Sequence, residues 1–222
     1  MLSNLFLDLD GTLIDSSSGI YHSFCLACRY ASVKPPSLNE FCSYIGPPIQ
    51  NIARRIYPEL DQKALEDFKN IFREDYDQAS YRIASWYPDV IDTLHYLSAD
   101  LGINLIIVTN KPSKPAINLV KEGGLHNIFS RVVGIDYRVM KNTGPIFSSK
   151  KEALSYVLNS DDFDLSRSAY LGDTLSDRDA CQACDLLFVG ALYGYHEWTS
   201  EQRPYWHLKR FGDIKILLKN LE

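Results

Sequence analysis

Asp8 and Asp10 stand one residue apart in Leu7-Asp8-Leu9-Asp10-Gly11-Thr12, at the end of a short apolar run. Two carboxylates there are costly to bury unless a cation or a proton compensates them. A second acidic pair follows another apolar run in Gly172-Asp173-Thr174-Leu175-Ser176-Asp177. If the two runs are neighbouring parallel strands, all four carboxylates gather at one sheet edge, and the cheapest physical solution is a hard divalent cation. Mg²⁺ suits such a place, because it takes a few carboxylate oxygens together with water and phosphate. Each motif alone has a plainer reading: Asp before Gly forms turns, and Asp177 can begin a helix. Their joint occurrence on two strand ends favours chemistry.

Two further groups extend the set. Thr109-Asn110 closes the run Ile103-Asn104-Leu105-Ile106-Ile107-Val108, offering a hydroxyl and backbone amides suited to phosphate. Lys150 opens Lys150-Lys151-Glu152-Ala153-Leu154, where a cation would neutralise charge on a transferring phosphoryl group. Blandly, Thr109 is a β-branched strand terminus and Lys150 a solvated lysine. Lys111 and Lys151 compete with Lys150, and residue spacing does not separate the three.

These residues need a scaffold, and the apolar pattern supplies one. Leu5-Phe6-Leu7-Asp8, the run ending at Val108, Arg131-Val132-Val133-Gly134, Ala169-Tyr170-Leu171-Gly172 and Leu186-Leu187-Phe188-Val189-Gly190 read as short buried parallel strands. Helical patterns at 90–99, 115–122, 149–158 and 177–184 lie between them. The expected fold is α/β: a Rossmann-like three-layer core with a parallel sheet, which places ligands at the carboxyl ends of its strands. Residues 15–85 break the rhythm with helical patterns at 19–31, 49–56 and 62–81. The reading is therefore a core from 1–14 and 86–222 with an inserted helical cap from 15–85. An insertion directly after the first strand is expected to lie over the ligand end and exclude water, the plainer alternative being a cover for apolar surface. Gln50, Arg54 and Arg55, near the Gly46-Pro47-Pro48 turn, are candidates for reading a substrate from the cap, or simply a solvated helix face. A tail helix is expected over Ile214-Lys215-Ile216-Leu217-Leu218.

The chain has 222 residues, 45% of them apolar and 23% charged, as in ordinary globular proteins with room for such an insertion. Its 23 Lys and Arg against 28 Asp and Glu give a net charge of −5, which would repel a phosphate backbone, so nucleic acid is not an expected partner. The apolar runs are too short to span a membrane, and no basic segment precedes the first of them, so neither a membrane span nor a signal peptide is expected and a cytoplasmic location is. The 5 cysteines read as reduced thiols. Cys25 and Cys28, and Cys181 and Cys184, form two C-x-x-C spacings that could hold zinc, but both sit in helical patterns, where cysteine serves as a small buried hydrophobe. Neither G-x-G-x-x-G nor a P-loop occurs, which argues against dinucleotide enzymes and P-loop kinases.

The four chemical segments also stand in a familiar order. Leu7-Asp8-Leu9-Asp10-Gly11-Thr12-Leu13, Val108-Thr109-Asn110-Lys111, Lys150-Lys151-Glu152 and Gly172-Asp173-Thr174-Leu175-Ser176-Asp177 resemble the four motifs of the haloacid dehalogenase superfamily, and most of all its phosphoglycolate phosphatase branch. The resemblance runs along nearly the whole chain. It includes Tyr44-Ile45-Gly46-Pro47-Pro48 and Leu192-Tyr193-Gly194-Tyr195. It implies a small phosphorylated metabolite as substrate and Mg²⁺ as cofactor, with Asp8 as nucleophile and Asp10 as acid and then base. It further implies Mg²⁺ on Asp8, the backbone carbonyl of Asp10 and Asp173, with Asp177 supporting from behind. Thr109 and Lys150 would hold the phosphoryl oxygens, with Gly11 and Asn110 beside them, and Lys150 would also pair Asp8. Relatives that attack carbon lack an acid at the position of Asp10. Many relatives carry Lys-Pro at the third motif; here Asn142-Thr143-Gly144-Pro145 lacks that lysine, matching the sub-branch in which Lys-x-Glu opens the helix. The resemblance leaves a phosphomutase, a pyrophosphatase and a catalytically silent binding protein as rival readings, and leaves the oligomeric state open.

Overall fold

The structure, a computed structural model, describes residues 2–135 and 146–220. Asn142-Thr143-Gly144-Pro145 lies outside them. In chain order the strands are β1 (Asn4–Leu7), β2 (Ile14–Asp15), β3 (Ser85–Trp86), β4 (Asn104–Thr109), β5 (Phe129–Gly134), β6 (Ser168–Gly172), β7 (Leu187–Ala191) and β8 (His207–Leu208). Helices are α1 (Ser17–Tyr30), α2 (Leu38–Cys42), α3 (Ile49–Ile56), α4 (Gln62–Tyr76), α5 (Val90–His95), α6 (Ser113–Glu122), α7 (Lys150–Ser160), α8 (Leu175–Gln182) and α9 (Ile214–Asn220). The chain forms two compact units, Met1–Ile14 with Trp86–Glu222, and Asp15–Ser85.

The first unit is built on a parallel sheet in the order β5-β4-β1-β6-β7-β8. Phe6 pairs in register with Ile106 on one side and Tyr170 on the other, so these three share a face. They pack with Val108, Ala153, Leu154, Val157, Ala180 and Cys181, contributed by β4, α7 and α8. The alternate residues Leu5, Leu7, Leu105, Ile107, Ala169 and Leu171 are buried as well. A sheet apolar on both faces requires helices on both, which yields the three-layer α/β core.

The register aligns the chemistry. Leu7 pairs with Ile107 of β4 and Leu171 of β6, so Asp8, Thr109 and Asp173 all emerge at the carboxyl edge. Successive strands run outward from β1 in opposite directions, through β4 to β5 and through β6 to β8. Asp8 thus leaves the sheet at the topological switch point, where open α/β sheets bind ligands.

The second unit is helical. α1 packs against α4 around Phe24, Phe41, Tyr57 and Phe68, with the Phe24 and Phe41 ring centroids 4.5 Å apart. Cys28 is buried there, its Sγ 3.2 Å from the Tyr57 hydroxyl. Burial pushes its thiol up to about 11, which favours the protonated form rather than the thiolate that zinc would need.

Several boundaries differ from the sequence pattern. α8 begins at Leu175 rather than Asp177, because Thr174 caps it and Asp177 returns the bond as third residue of a capping box. α4 stops at Tyr76, and the remainder of that pattern folds as a 3₁₀ turn at Ser80–Arg82. α5 runs into a π-helical turn at Tyr96–Asp100. β8, α2 and the two-residue β2 and β3 are too short to show any periodicity. No helix among the described residues is long and apolar enough to cross a membrane.

Candidate active site

Asp8 continues β1 past its last apolar residue and is 5% exposed; its backbone N–H donates to Leu171 O at 2.9 Å, extending the ladder by one bond. One carboxylate oxygen of each of Asp8, Asp173 and Asp177 lies within 4.8 Å of the others, and all three residues are buried. Lys150, at the first turn of α7, is buried beside them, with Nζ 3.0 Å from Asp8 Oδ1 and hydrogen-bonded to Asp177 Oδ1. The directed bond goes to Asp177, which leaves Asp8 Oδ1 buried and held by charge alone.

The other carboxylates are each fixed by their own donors. Asp173 Oδ2 accepts the Tyr195 N–H at 2.8 Å and its Oδ1 the Thr12 hydroxyl at 3.3 Å. Asp177 Oδ2 accepts both the N–H and the hydroxyl of Thr174, at 2.9 and 2.6 Å. The Tyr170 hydroxyl, 2.7 Å from Val108 O and 3.2 Å from Asp177 Oδ1, ties β4, β6 and α8 together beneath the site.

Close backbone approach shapes the mouth. Gly11 has φ +83°, and a Cβ there would lie 2.3 Å from Asp173 Oδ2. A Cβ on Gly194 would lie 2.3 Å from Asp173 Cβ and 2.4 Å from Gly11 O. Both positions therefore require glycine if the loops after β1 and β7 are to close around Asp173.

Three buried carboxylates face one contacting ammonium, and the electrostatics follow. Burial raises Asp8 to about 7; Lys150 pulls it down, while Asp177 and Asp10 push it up. Burial, then Asp177 and Asp8, hold Asp173 well above the usual carboxylate range. Burial alone would lower Lys150, but Asp177 and Asp8 outweigh it and keep the ammonium firmly charged. A further positive charge would relieve this excess. Each Asp173 oxygen accepts one bond and so, like Asp8, keeps a lone pair for it, whereas each Asp177 oxygen already has two partners. The donor set, oxygen throughout, fits Mg²⁺.

The structure also separates the three lysines. Lys150 reaches Asp8 and Asp177, Lys111 is buried and bonds Asp10, and Lys151 is exposed. The Asp10 carboxylate stands apart from the Asp8-Asp173-Asp177 group and is gripped by Lys111 Nζ at 2.9 and 3.2 Å. Thr109, 1% exposed, accepts the Lys111 N–H on its hydroxyl at 3.2 Å; Asn110 follows it, half-buried. Within the helical unit, Arg54 is exposed and donates to Gln62 at 2.8 Å, Arg55 lies 5.0 Å over the Tyr44 ring, and Gln50 donates to Glu66. Sequence reasoning missed Thr12, Thr174 and Tyr170 as supports. In Tyr193-Gly194-Tyr195 the Tyr193 hydroxyl donates to Thr12 O at 2.8 Å, while Gly194 and Tyr195 meet Asp173 through backbone.

Known proteins resemble the chain along most of its length. A family model described as Haloacid dehalogenase-like hydrolase matches residues 5–191. A phosphoglycolate phosphatase of Aliivibrio fischeri is 28% identical over 206 residues, covering 89% of this chain and 88% of that protein. One from Vibrio cholerae is 29% identical over 196 residues, covering 85% and 84%. The crystal structure of a predicted phosphatase from Clostridium acetobutylicum superposes with a TM-score of 0.86 at 20% identity, covering 99% of each chain.

Proposed function

Because the chain belongs to the haloacid dehalogenase-like hydrolases, we propose that it is a Mg²⁺-dependent phosphatase that hydrolyses a small phosphomonoester through an aspartyl-phosphate intermediate. Phosphoglycolate is the leading substrate, from the names of the relatives matched over most of the chain. The observation that carries the reading is Asp8 itself: a buried carboxylate at the switch point of the sheet, 3.0 Å from a buried lysine and grouped with two further aspartates.

An Asp8 oxygen attacks phosphorus, the bond from phosphorus to the leaving alkoxide breaks, and Asp10 gives its proton to the departing oxygen. Water then attacks the same phosphorus, Asp10 takes its proton, the bond to Asp8 breaks and inorganic phosphate leaves. Lys150 favours the ionised form of Asp8 against the effect of burial and offers charge to the phosphoryl oxygens. The Thr109 hydroxyl and the backbone around Gly11 and Asn110 orient those oxygens. Asp8, Asp173 and the Asp10 carbonyl would hold Mg²⁺, and Asp177 orients Lys150 rather than contacting the metal. When bound, Mg²⁺ screens the repulsion between the anionic nucleophile and its anionic target. Asp15–Ser85 serves as the cap, since it enters the chain straight after the loop bearing Asp8 and Asp10, and Arg54 is its candidate for reading the rest of the substrate.

Phosphate release from a panel of phosphomonoesters, with and without chelator, tests the reading. The expected result is Mg²⁺-dependent release, fastest from phosphoglycolate. No release from any ester, or transfer to a second hydroxyl instead of water, would overturn it.

A further inference from the structure

We propose that Lys111 is the positioning residue for Asp10, fixing the carboxylate that serves as acid and then base; this rests on the phosphatase reading above. Lys111 is 3% exposed, an unusual place for a lysine unless its charge is matched. Its Nζ contacts both oxygens of Asp10, at 2.9 and 3.2 Å. The Asp10 side chain is 19% exposed, so one end of the pair is anchored in the protein and the other reaches the open side of the site.

The lysine is itself held from three sides. Its N–H donates to the Thr109 hydroxyl at 3.2 Å, and its carbonyl accepts from Ile135 N at 3.1 Å. Gly134, ending β5, lies so close that a Cβ there would be 2.3 Å from Lys111 O. The end of β4 thus carries Thr109, whose hydroxyl the phosphatase reading assigns to the phosphoryl oxygens, and two residues on Lys111, which reaches the loop after β1 to hold Asp10. Lys150 contacts Asp8 and Asp177 while Lys111 contacts Asp10, so nucleophile and acid lie against different cations. A two-oxygen grip fixes Asp10 in orientation as well as place. When Asp10 gives its proton to the leaving oxygen, the new carboxylate meets an ammonium already in contact with it.

The readout is dependence on the leaving group. An alkyl phosphate needs a proton on its departing oxygen, whereas p-nitrophenolate leaves without one. Lys111→Met and Lys111→Gln should lower kcat/KM for an alkyl phosphate by about 100-fold, as expected for a misplaced acid. For p-nitrophenyl phosphate the loss should be only about threefold, and that activity also reports that the variants fold. In an Asp10→Asn background, Lys111→Met should add little to the loss on the alkyl ester. Equal losses on both esters, or full additivity with Asp10→Asn, would overturn the proposal and assign Lys111 to phosphate binding or to structure. Wild-type protein inactive on both esters would instead remove the phosphatase reading, and this proposal with it.

Discussion

Lys150 Nζ lies 3.0 Å from Asp8 Oδ1 while its directed hydrogen bond goes to Asp177. One buried cation thus links the residue after β1 to the first turn of α8, and Thr174 fixes the other oxygen of Asp177. Asp177 in this way serves the capping box of α8 through one oxygen and holds Lys150 through the other.

Lys150→Met should reduce kcat by at least about 100-fold, through loss of charge on the phosphoryl group. It should also destabilise the metal-free protein by about 3 kcal/mol, because the aspartates it leaves are buried and uncompensated. Lys150→Arg should not restore activity, since a guanidinium does not fit a site 3% exposed. Steady-state kinetics and urea unfolding in chelator check both; an active, stable Lys150→Met would refute them.

Gly194→Ala should impair the site without touching a carboxylate. The added methyl would lie 2.3 Å from Asp173 Cβ, forcing Asp173 or the loop after β7 to move at a cost of about 2 kcal/mol. The expected outcome is an activity loss of at least about tenfold that higher Mg²⁺ partly restores, read from kcat at a series of Mg²⁺ concentrations. Wild-type kinetics at all concentrations would contradict it.

Burial raises Asp8 from 3.8 to about 7, and this sets the sign of a pH effect. Between these values the folded chain binds a proton that the unfolded chain has lost, so unfolding free energy falls as pH rises. The contribution is whole below the unfolded value and gone once pH passes the folded one. In chelator, stability should therefore decline from pH 5 to pH 8 by on the order of 3 kcal/mol more in the wild type than in Asp8→Asn. Saturating Mg²⁺ should offset the decline by binding the folded state at high pH. Parallel curves for the two proteins would contradict the assignment.

Much of this site was legible because its parts obey simple rules. Apolar runs closed by Asp8, Thr109 and Asp173 mark strand ends, and parallel strands bring their ends together. The insertion was visible because the pattern of buried strands stops after Ile14 and resumes near Trp86. What stayed hidden depends on tertiary contact. Tyr170 reads as one more apolar strand residue, and only its hydroxyl, reaching Val108 O and Asp177, gives it a place in the site. Gly194 and Tyr195 act through backbone, which no side-chain pattern records. Lys111, Lys150 and Lys151 are the same residue type in similar local surroundings, and strand pairing and helix phase alone send the first two to different aspartates and the third to the surface.

Phosphorylation of Asp8 should be directly visible in Asp10→Asn. With p-nitrophenyl phosphate the first step needs no proton, whereas the second lacks its base, so the intermediate should accumulate. Rapid acid quench, borohydride reduction and peptide mass analysis should find homoserine at position 8, with a burst of about one nitrophenolate per chain. An unreduced Asp8 with nitrophenolate still released, or a phosphoryl group on any other residue, would contradict the account.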